Sequence, residues 1–452
     1  MLRTVFVFLA YVTVLSLISL RPAEAFHESV QSSLGNRTTS LPELSVCIGA
    51  TRHCVSELGI RVSDGDLAEL KMLTTQCAAG RAESCIQAGI FHEDNEDFAN
   101  ALSFYRRACN GGEAYGCYFL GDYFVQGLGA SVNFAKAADA FRQACDGGIA
   151  EACSALGSQY LHAAGVSRDV TKASKLFHQG CDGGSARGCN DLGYLMQIGK
   201  GVPQNKERAV RLFRKSCEGG EAFGCTNLGM AFLNANGVAR DEAKAKTYFT
   251  QSCLGEDGQG CRQLGLLYAN ARGVSKDFVR AVDFYQRSCG YGDARGCTLL
   301  AEMYAKALGV SKNLRKASGL YRQACDWSFV EACVQLGFMT ENAQGVRRDY
   351  GKAVDLYRIG CEDGNARGCN NLGRMYHVGN GVTIDVGKAV TFYRQACDGG
   401  NAKGCSNLGI MYESALGVGQ DLKRAETLYL QACDMGGEWA CDRMETLKDA
   451  AK

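Results

Sequence analysis

A cysteine returns every 36 residues through most of this 452-residue chain: Cys109, Cys145, Cys181, Cys217, Cys253, Cys289, Cys325, Cys361, Cys397 and Cys433. Each has a partner eight positions on: Cys117, Cys153, Cys189, Cys225, Cys261, Cys297, Cys333, Cys369, Cys405 and Cys441. A fixed period in this range excludes one globular core. It specifies a solenoid in which one supersecondary unit stacks on the next.

Counting from the leading cysteine gives the content of the unit. The eleventh residue is Leu in nine units, from Leu120 to Leu408, and the next is Gly in all but one, where Ala301 stands. The second cysteine, this Leu-Gly pair and an aromatic at the fifteenth place (Tyr160, Phe232, Tyr268, Tyr304, Tyr376, Tyr412) fall at i, i+3, i+4 and i+7. That spacing is one face of an α-helix, helix A. Gly recurs at the twentieth place, from Gly129 to Gly417, where a left-handed residue ending helix A would require it. Four residues later every unit has Asn or Asp, from Asn133 to Asp421, the N-cap of a second helix B. Helix B carries Ala, then an aromatic four residues on, then the next leading cysteine. The expected class is all-α, an α/α solenoid.

The leading cysteine ends helix B and its partner opens the next helix A, with turn residues such as Asp146-Gly147-Gly148 between. Antiparallel helices joined this tightly bring the two thiols within disulfide reach. Bridges within each pair are therefore expected, each worth about 2.5 kcal/mol on the chain-entropy account. Cys77 with Cys85 keeps the same gap, and Cys47 with Cys54 is one residue shorter. A gap of seven residues and six scattered histidines fit a zinc site badly. Regular pairing also argues against an isolated redox-active thiol.

The N-terminus suggests an oxidising compartment. Arg3 precedes an apolar run over 4–20, and Ala23-Glu24-Ala25 forms a small-x-small cleavage site. Residues 1–25 read as a signal peptide and 26–46 as a polar lead with a glycosylation pattern at Asn36. Residues 47–108 read as two shortened capping repeats, 109–432 as nine regular repeats and 433–452 as a C-terminal capping helix. No other segment is long and apolar enough to span a bilayer. With 49 basic against 48 acidic residues, the electrostatic footprint of a nucleic-acid binder is missing.

One complete unit, CDGGNAKGCSNLGIMYESALGVGQDLKRAETLYLQA (397–432), resembles the Sel1-like repeat. The internal cysteine pair resembles the secreted, disulfide-rich branch typified by the Helicobacter cysteine-rich proteins. The resemblance spans about residues 67–441. It implies a right-handed superhelix with helix A on the concave side, and an adaptor that binds proteins or peptides there. It also implies an alternative, since some cysteine-rich members bind or slowly hydrolyse β-lactams. The unit beginning at Cys325 departs from the pattern, with Trp327-Ser328-Phe329 in place of the glycine turn.

Catalytic motifs are sparse. The S-x-x-K, S-D-N and K-T-G set of serine β-lactamases is absent, as are G-x-S-x-G and H-E-x-x-H. His27, His53, His92, His162, His178 and His377 occupy unrelated places in their units and cannot form a repeated site. Gly127-x-Gly129, Gly199-x-Gly201 and Gly379-x-Gly381 end helix A rather than follow a strand, so they are helix stops. One constellation remains, at the tenth place on helix A: Asp191, Asn227, Gln263, Gln335, Asn371 and Asn407. An amide both donates and accepts, so a ladder of them can hold an extended peptide backbone without reading its side chains. Arg187, Arg295, Arg367 and Lys403 recur four places before and read as partners of nearby acids.

The expected protein is a monomeric, exported scaffold, secreted or periplasmic, with a protein or peptide ligand and no cofactor, metal or catalytic residue. The mitochondrial intermembrane space is the competing address, against which the apolar leader argues.

Overall fold

The structure is a computed structural model and describes residues 64–450, with side chains from 68 to 447. The leader, Asn36 and the Cys47/Cys54 pair lie outside the described residues. Among those described there are twenty-two α-helices and no strand. The chain divides into two compact units, Met1–Gly255 and Glu256–Lys452.

The first unit contains α1 (Asp64–Ala78), α2 (Ala82–Asp94), α3 (Phe98–Asn110), α4 (Ala114–Gln126), α5 (Phe134–Asp146) and α6 (Ala150–His162). It continues with α7 (Val170–Asp182), α8 (Ala186–Ile198), α9 (Lys206–Glu218), α10 (Ala222–Asn234) and α11 (Glu242–Leu254). The second contains α12 (Gly258–Ala269), α13 (Phe278–Gly290), α14 (Ala294–Lys306), α15 (Leu314–Asp326), α16 (Val330–Glu341) and α17 (Tyr350–Glu362). It ends with α18 (Ala366–Val378), α19 (Val386–Asp398), α20 (Ala402–Glu413), α21 (Leu422–Asp434) and α22 (Glu438–Ala450). Even-numbered helices are the A helices and odd-numbered ones the B helices. In the shortened repeat only residues 95–97 join α2 to α3, against 127–133 between α4 and α5.

The B helices from α3 onward start as their sequence demands. The Asn or Asp before each accepts from the third amide of the helix, as Asn205 does from Arg208 N at 2.8 Å and Asp385 from Lys388 N at 2.9 Å. Several A helices are capped by the same device, which the sequence reading missed: Ser185, Asn365 and Asn401 accept from Gly188, Gly368 and Gly404 N at 3.1, 3.0 and 2.9 Å.

Glycine plays a different part from the expected one. Helix A is stopped two residues earlier than the sequence suggested, at the eighteenth place, by a left-handed Gly or Ala such as Gly127, Ala163, Ala307 or Gly379. Gly at the twentieth place is needed because it lies against the first turn of the preceding helix B. A Cβ on Gly165 would stand 2.1 Å from the Phe134 carbonyl carbon, and one on Gly345 would stand 2.1 Å from Leu314 O. The Gly of the Leu-Gly pair is also steric. A Cβ on Gly193 would meet the Phe213 ring at 2.8 Å, and one on Gly373 would meet the Tyr393 ring at 2.8 Å.

That close approach makes the core. The helix-B aromatic and Ala are fully buried in most units, as Phe177 and Ala173 are in the first and Tyr357 and Ala353 in the second. The fifteenth-place aromatics of helix A are covered on their outer side by a Lys or Arg from the first turn of helix B. Lys172 Nζ lies 4.3 Å from the Tyr160 ring centre and Lys316 Nζ 4.4 Å from that of Tyr304.

Ten bridges close the joints between helix B and the next helix A: Cys77–Cys85, Cys109–Cys117, Cys145–Cys153, Cys181–Cys189, Cys217–Cys225, Cys289–Cys297, Cys325–Cys333, Cys361–Cys369, Cys397–Cys405 and Cys433–Cys441. Cys253 and Cys261 are also in the disulfide state. In the Cys325 joint, Ser328 takes φ 62 where Gly364 and Gly400 take 85 and 82 in the joints that follow.

Candidate functional site

The exposed face of the A helices carries the residues that the repeat does not need for packing. All six candidates, Asp191, Asn227, Gln263, Gln335, Asn371 and Asn407, are half-buried on this face. The structure joins them differently from a simple ladder of free amides. In the first unit Asn227 Nδ2 donates to Asn190 Oδ1 at 2.8 Å, and Asn190 Nδ2 donates to Asp191 Oδ1 at 3.2 Å. In the second unit Asn407 Nδ2 donates to Asn370 Oδ1 at 2.9 Å, and Asn370 Nδ2 to Asn371 Oδ1 at 3.4 Å. Gln335 Nε2 is held within its own helix by Glu331 Oε1 at 3.1 Å.

The ninth-place residues Asn190 and Asn370 are therefore part of the arrangement, and sequence reasoning passed over them. A signal was available. Asn at the ninth place occurs in only these two regular units, and in both the following unit has Asn at its tenth place.

In the second unit this network borders a shallow, solvent-open cavity of about 330 Å³ between α16, α18 and α20. Its wall consists of Phe338, Arg367, Asn370, Asn371, Asn401, Ala402 and Lys403. Phe338 is 37% exposed, so part of its ring is open to a ligand. Arg367 approaches Glu331 at 3.8 Å with both side chains exposed, a weakly coupled pair. Lys403 has no ionic partner among the described residues. Deeper in the face, Arg374 donates to Glu341 at 2.5 Å, and Glu341 also accepts from Tyr357 OH at 2.8 Å, so those charges are spent inside the fold. The expectation that the recurrent cations pair with acids thus holds for Arg367, while Arg295 stacks 5.8 Å from the Phe329 ring centre.

The first unit's face is acidic instead. Burial pushes the Asp122 carboxyl up to about 6, with Glu93 adding to the rise and Gln126 and Arg187 opposing it. Glu151 and Asp191 are raised above the usual carboxylate range, also by burial, and Arg187 and Asn190 pull Asp191 part of the way back. His162 is held below the usual imidazole value by burial and by Arg168 and Arg187. Among the described residues no group of His, Cys, Asp and Glu could hold a metal ion.

The Sel1 repeat profile matches ten stretches: 80–113, 114–149, 150–185, 186–221, 222–257, 258–290, 294–326, 330–365, 366–401 and 402–437. The chain belongs to the Sel1 repeat family. Sel1 repeats mediate protein–protein interactions in general, and this chain is a scaffold of that kind. Its Sel1 fold is shared with a protective antigen of uropathogenic Escherichia coli, at 23% identity over 84% of this chain and 90% of that one, with a TM-score of 0.59. A Sel1 repeat protein from Oxalobacter formigenes aligns at 22% identity over 68% of this chain and 90% of its own, with a TM-score of 0.51. Helicobacter pylori cysteine rich protein B is 30% identical over 29% of this chain and 93% of its own, with a TM-score of 0.25. No curated protein sequence matches the chain. The disulfide at every described joint suits an oxidising compartment.

Proposed function

We propose that this protein is an exported, disulfide-clamped Sel1 scaffold that binds extended peptide segments of a partner on the face formed by its A helices, the concave side of the solenoid. The cleaved leader over 1–25 would deliver it to the secreted or periplasmic space, where its bridges form. The observation that carries the reading is the cavity walled by Phe338, Arg367, Asn371 and Lys403 on the face of the A helices. Asn407 supports it from behind: its Nδ2 is fixed on Asn370, which leaves its oxygen to accept a backbone N–H of a bound strand. Asp191 and Asn227 in the first unit, and Gln263 and Gln335 in the second, hold the same tenth place of their own repeats. The β-lactam alternative rests on resemblance alone.

The test is capture of a degenerate peptide library by the full, disulfide-intact chain. Enrichment of extended peptides is expected, with a loss of about tenfold in affinity for Asn371→Ala/Asn407→Ala, the effect of about two lost hydrogen bonds. A library that shows no enrichment, or a double variant that binds as well as the parent, would sink the reading.

A further inference from the structure

The two three-residue amide bridges are the same construction in different units, and they end in opposite chemistry. Asn227 to Asn190 to Asp191 ends on a carboxylate, an acceptor without a proton to give. Asn407 to Asn370 to Asn371 ends on a carboxamide whose oxygen is already used, which turns the Asn371 NH₂ outward as a donor. The helix caps repeat the contrast. Asn401 must present its oxygen to Gly404 N at 2.9 Å, because only the oxygen can accept, so its NH₂ also faces away as a donor. At the corresponding cap of α10 stands Glu221, a second carboxylate.

The wall of the second unit's cavity thus offers donors at four points: Asn371 NH₂, Asn401 NH₂, the Arg367 guanidinium and the Lys403 ammonium, with the Phe338 ring beside them. Within that lining every side-chain oxygen is engaged: Asn370 Oδ1 by Asn407, Asn371 Oδ1 by Asn370, and Asn401 Oδ1 by Gly404. Glu331 approaches Arg367 at 3.8 Å from outside the lining, but the wall itself offers only donors, so an anion rich in acceptor oxygens satisfies it and an amine or a neutral amide is poorly matched. The exposed Phe338 ring adds an apolar wall for the side chain next to that anion.

We infer that this cavity is a carboxylate subsite, which takes an Asp or Glu side chain of the bound segment with an apolar neighbour against Phe338. The matching position of the first unit, which ends on Asp191 and Glu221, takes no carboxylate. The inference rests on the peptide-binding reading above and adds polarity to it. The bound segment is acidic where it crosses α18 and α20.

The experiment uses the full, oxidised chain and degenerate peptide pools, acetylated and amidated at their ends, that differ only in a fixed central Glu, Gln or Lys. The Glu pool should bind about tenfold tighter than the Gln pool, the size of one charge-assisted contact, and the Lys pool more weakly still. The preference should shrink as salt rises. Asn371→Asp gives this unit the residue that the first unit carries at the same place, beside the same Asn neighbour, so the fold tolerates it. That variant and Arg367→Gln should each erase the Glu-over-Gln preference at unchanged melting temperature, and Arg367→Lys should restore part of it. Equal binding of the Glu and Gln pools, or a preference that survives both substitutions, overturns the subsite while leaving peptide binding intact. A fourth pool with central Gln and a free C-terminus separates the sources of carboxylate. If that pool alone shows the gain, the side-chain assignment is wrong. Failure of every pool to bind removes the peptide reading itself, and the subsite with it.

Discussion

At the scale of single residues, two glycine positions that look alike in sequence do different work. The twentieth-place Gly is invariant in the nine regular units, and its invariance suggested a helix stop. In the structure the stop is two residues earlier and often an Ala, as at Ala343 with φ 56, while Gly345 is held by the carbonyl of Leu314. The sequence could not separate these roles, because a backbone contact from the preceding helix leaves no side-chain signature. The difference has a measurable consequence within one loop. Ala343→Gly relieves a left-handed Ala and should be neutral to stabilising, by up to about 1 kcal/mol. Gly345→Ala adds both strain at φ 73 and a collision at 2.1 Å, so a loss of at least 2 kcal/mol or so is expected. Urea unfolding of the two variants followed by circular dichroism checks the pair; equal effects would mean that the close approach is not limiting.

Helices and joints were the most legible level. Cysteine spacing, the Leu-Gly pair and the Asn or Asp caps each rest on contacts within one unit, so counting along the chain recovers them. Contacts between units were not legible to the same degree. The bond from Asn407 to Asn370 spans 37 residues and depends on how far each unit rotates on the last, which no spacing rule states. Gln395 is another such case, placed by α19 with its Oε1 3.2 and 3.8 Å from the two sulfurs of the Cys361–Cys369 bridge. Because each repeat contacts mainly its neighbours, a joint should fail locally. Replacing both Cys361 and Cys369 with Ser should cost about 2.5 kcal/mol. Hydrogen exchange should show the loss of protection concentrated in α17 and α18 and weak in α21. A uniform loss across the second unit would show instead that the bridges act through one cooperative core.

For the molecule as a whole, a net charge of +1 conceals a division that the sum cannot show. The described face of the first unit collects acids whose pKa burial raises, whereas the second unit's cavity collects cations and donors. Which acids share one face was not readable from composition, since Asp122, Glu151 and Asp191 come from three different repeats and from different places within them. The raised Asp122 gives this division a pH signature. Its folded value of about 6 lies above the 3.8 of a free aspartate, so between those limits the folded state binds more protons than the unfolded one. Stability therefore rises as pH falls through that window and is lost as pH climbs past about 6. His162 acts in the opposite sense below the 6.5 of a free histidine, because its folded form resists the proton. The informative quantity is thus the difference between the parent and Asp122→Asn, which removes one titration and leaves the other. Melting temperatures from pH 4 to pH 8 should show the variant gaining on the parent as pH rises from 4 to about 6, with no further gain from this group above that. Parallel curves would mean that Asp122 titrates as an ordinary surface acid and that the acidic face of the first unit is fully solvated.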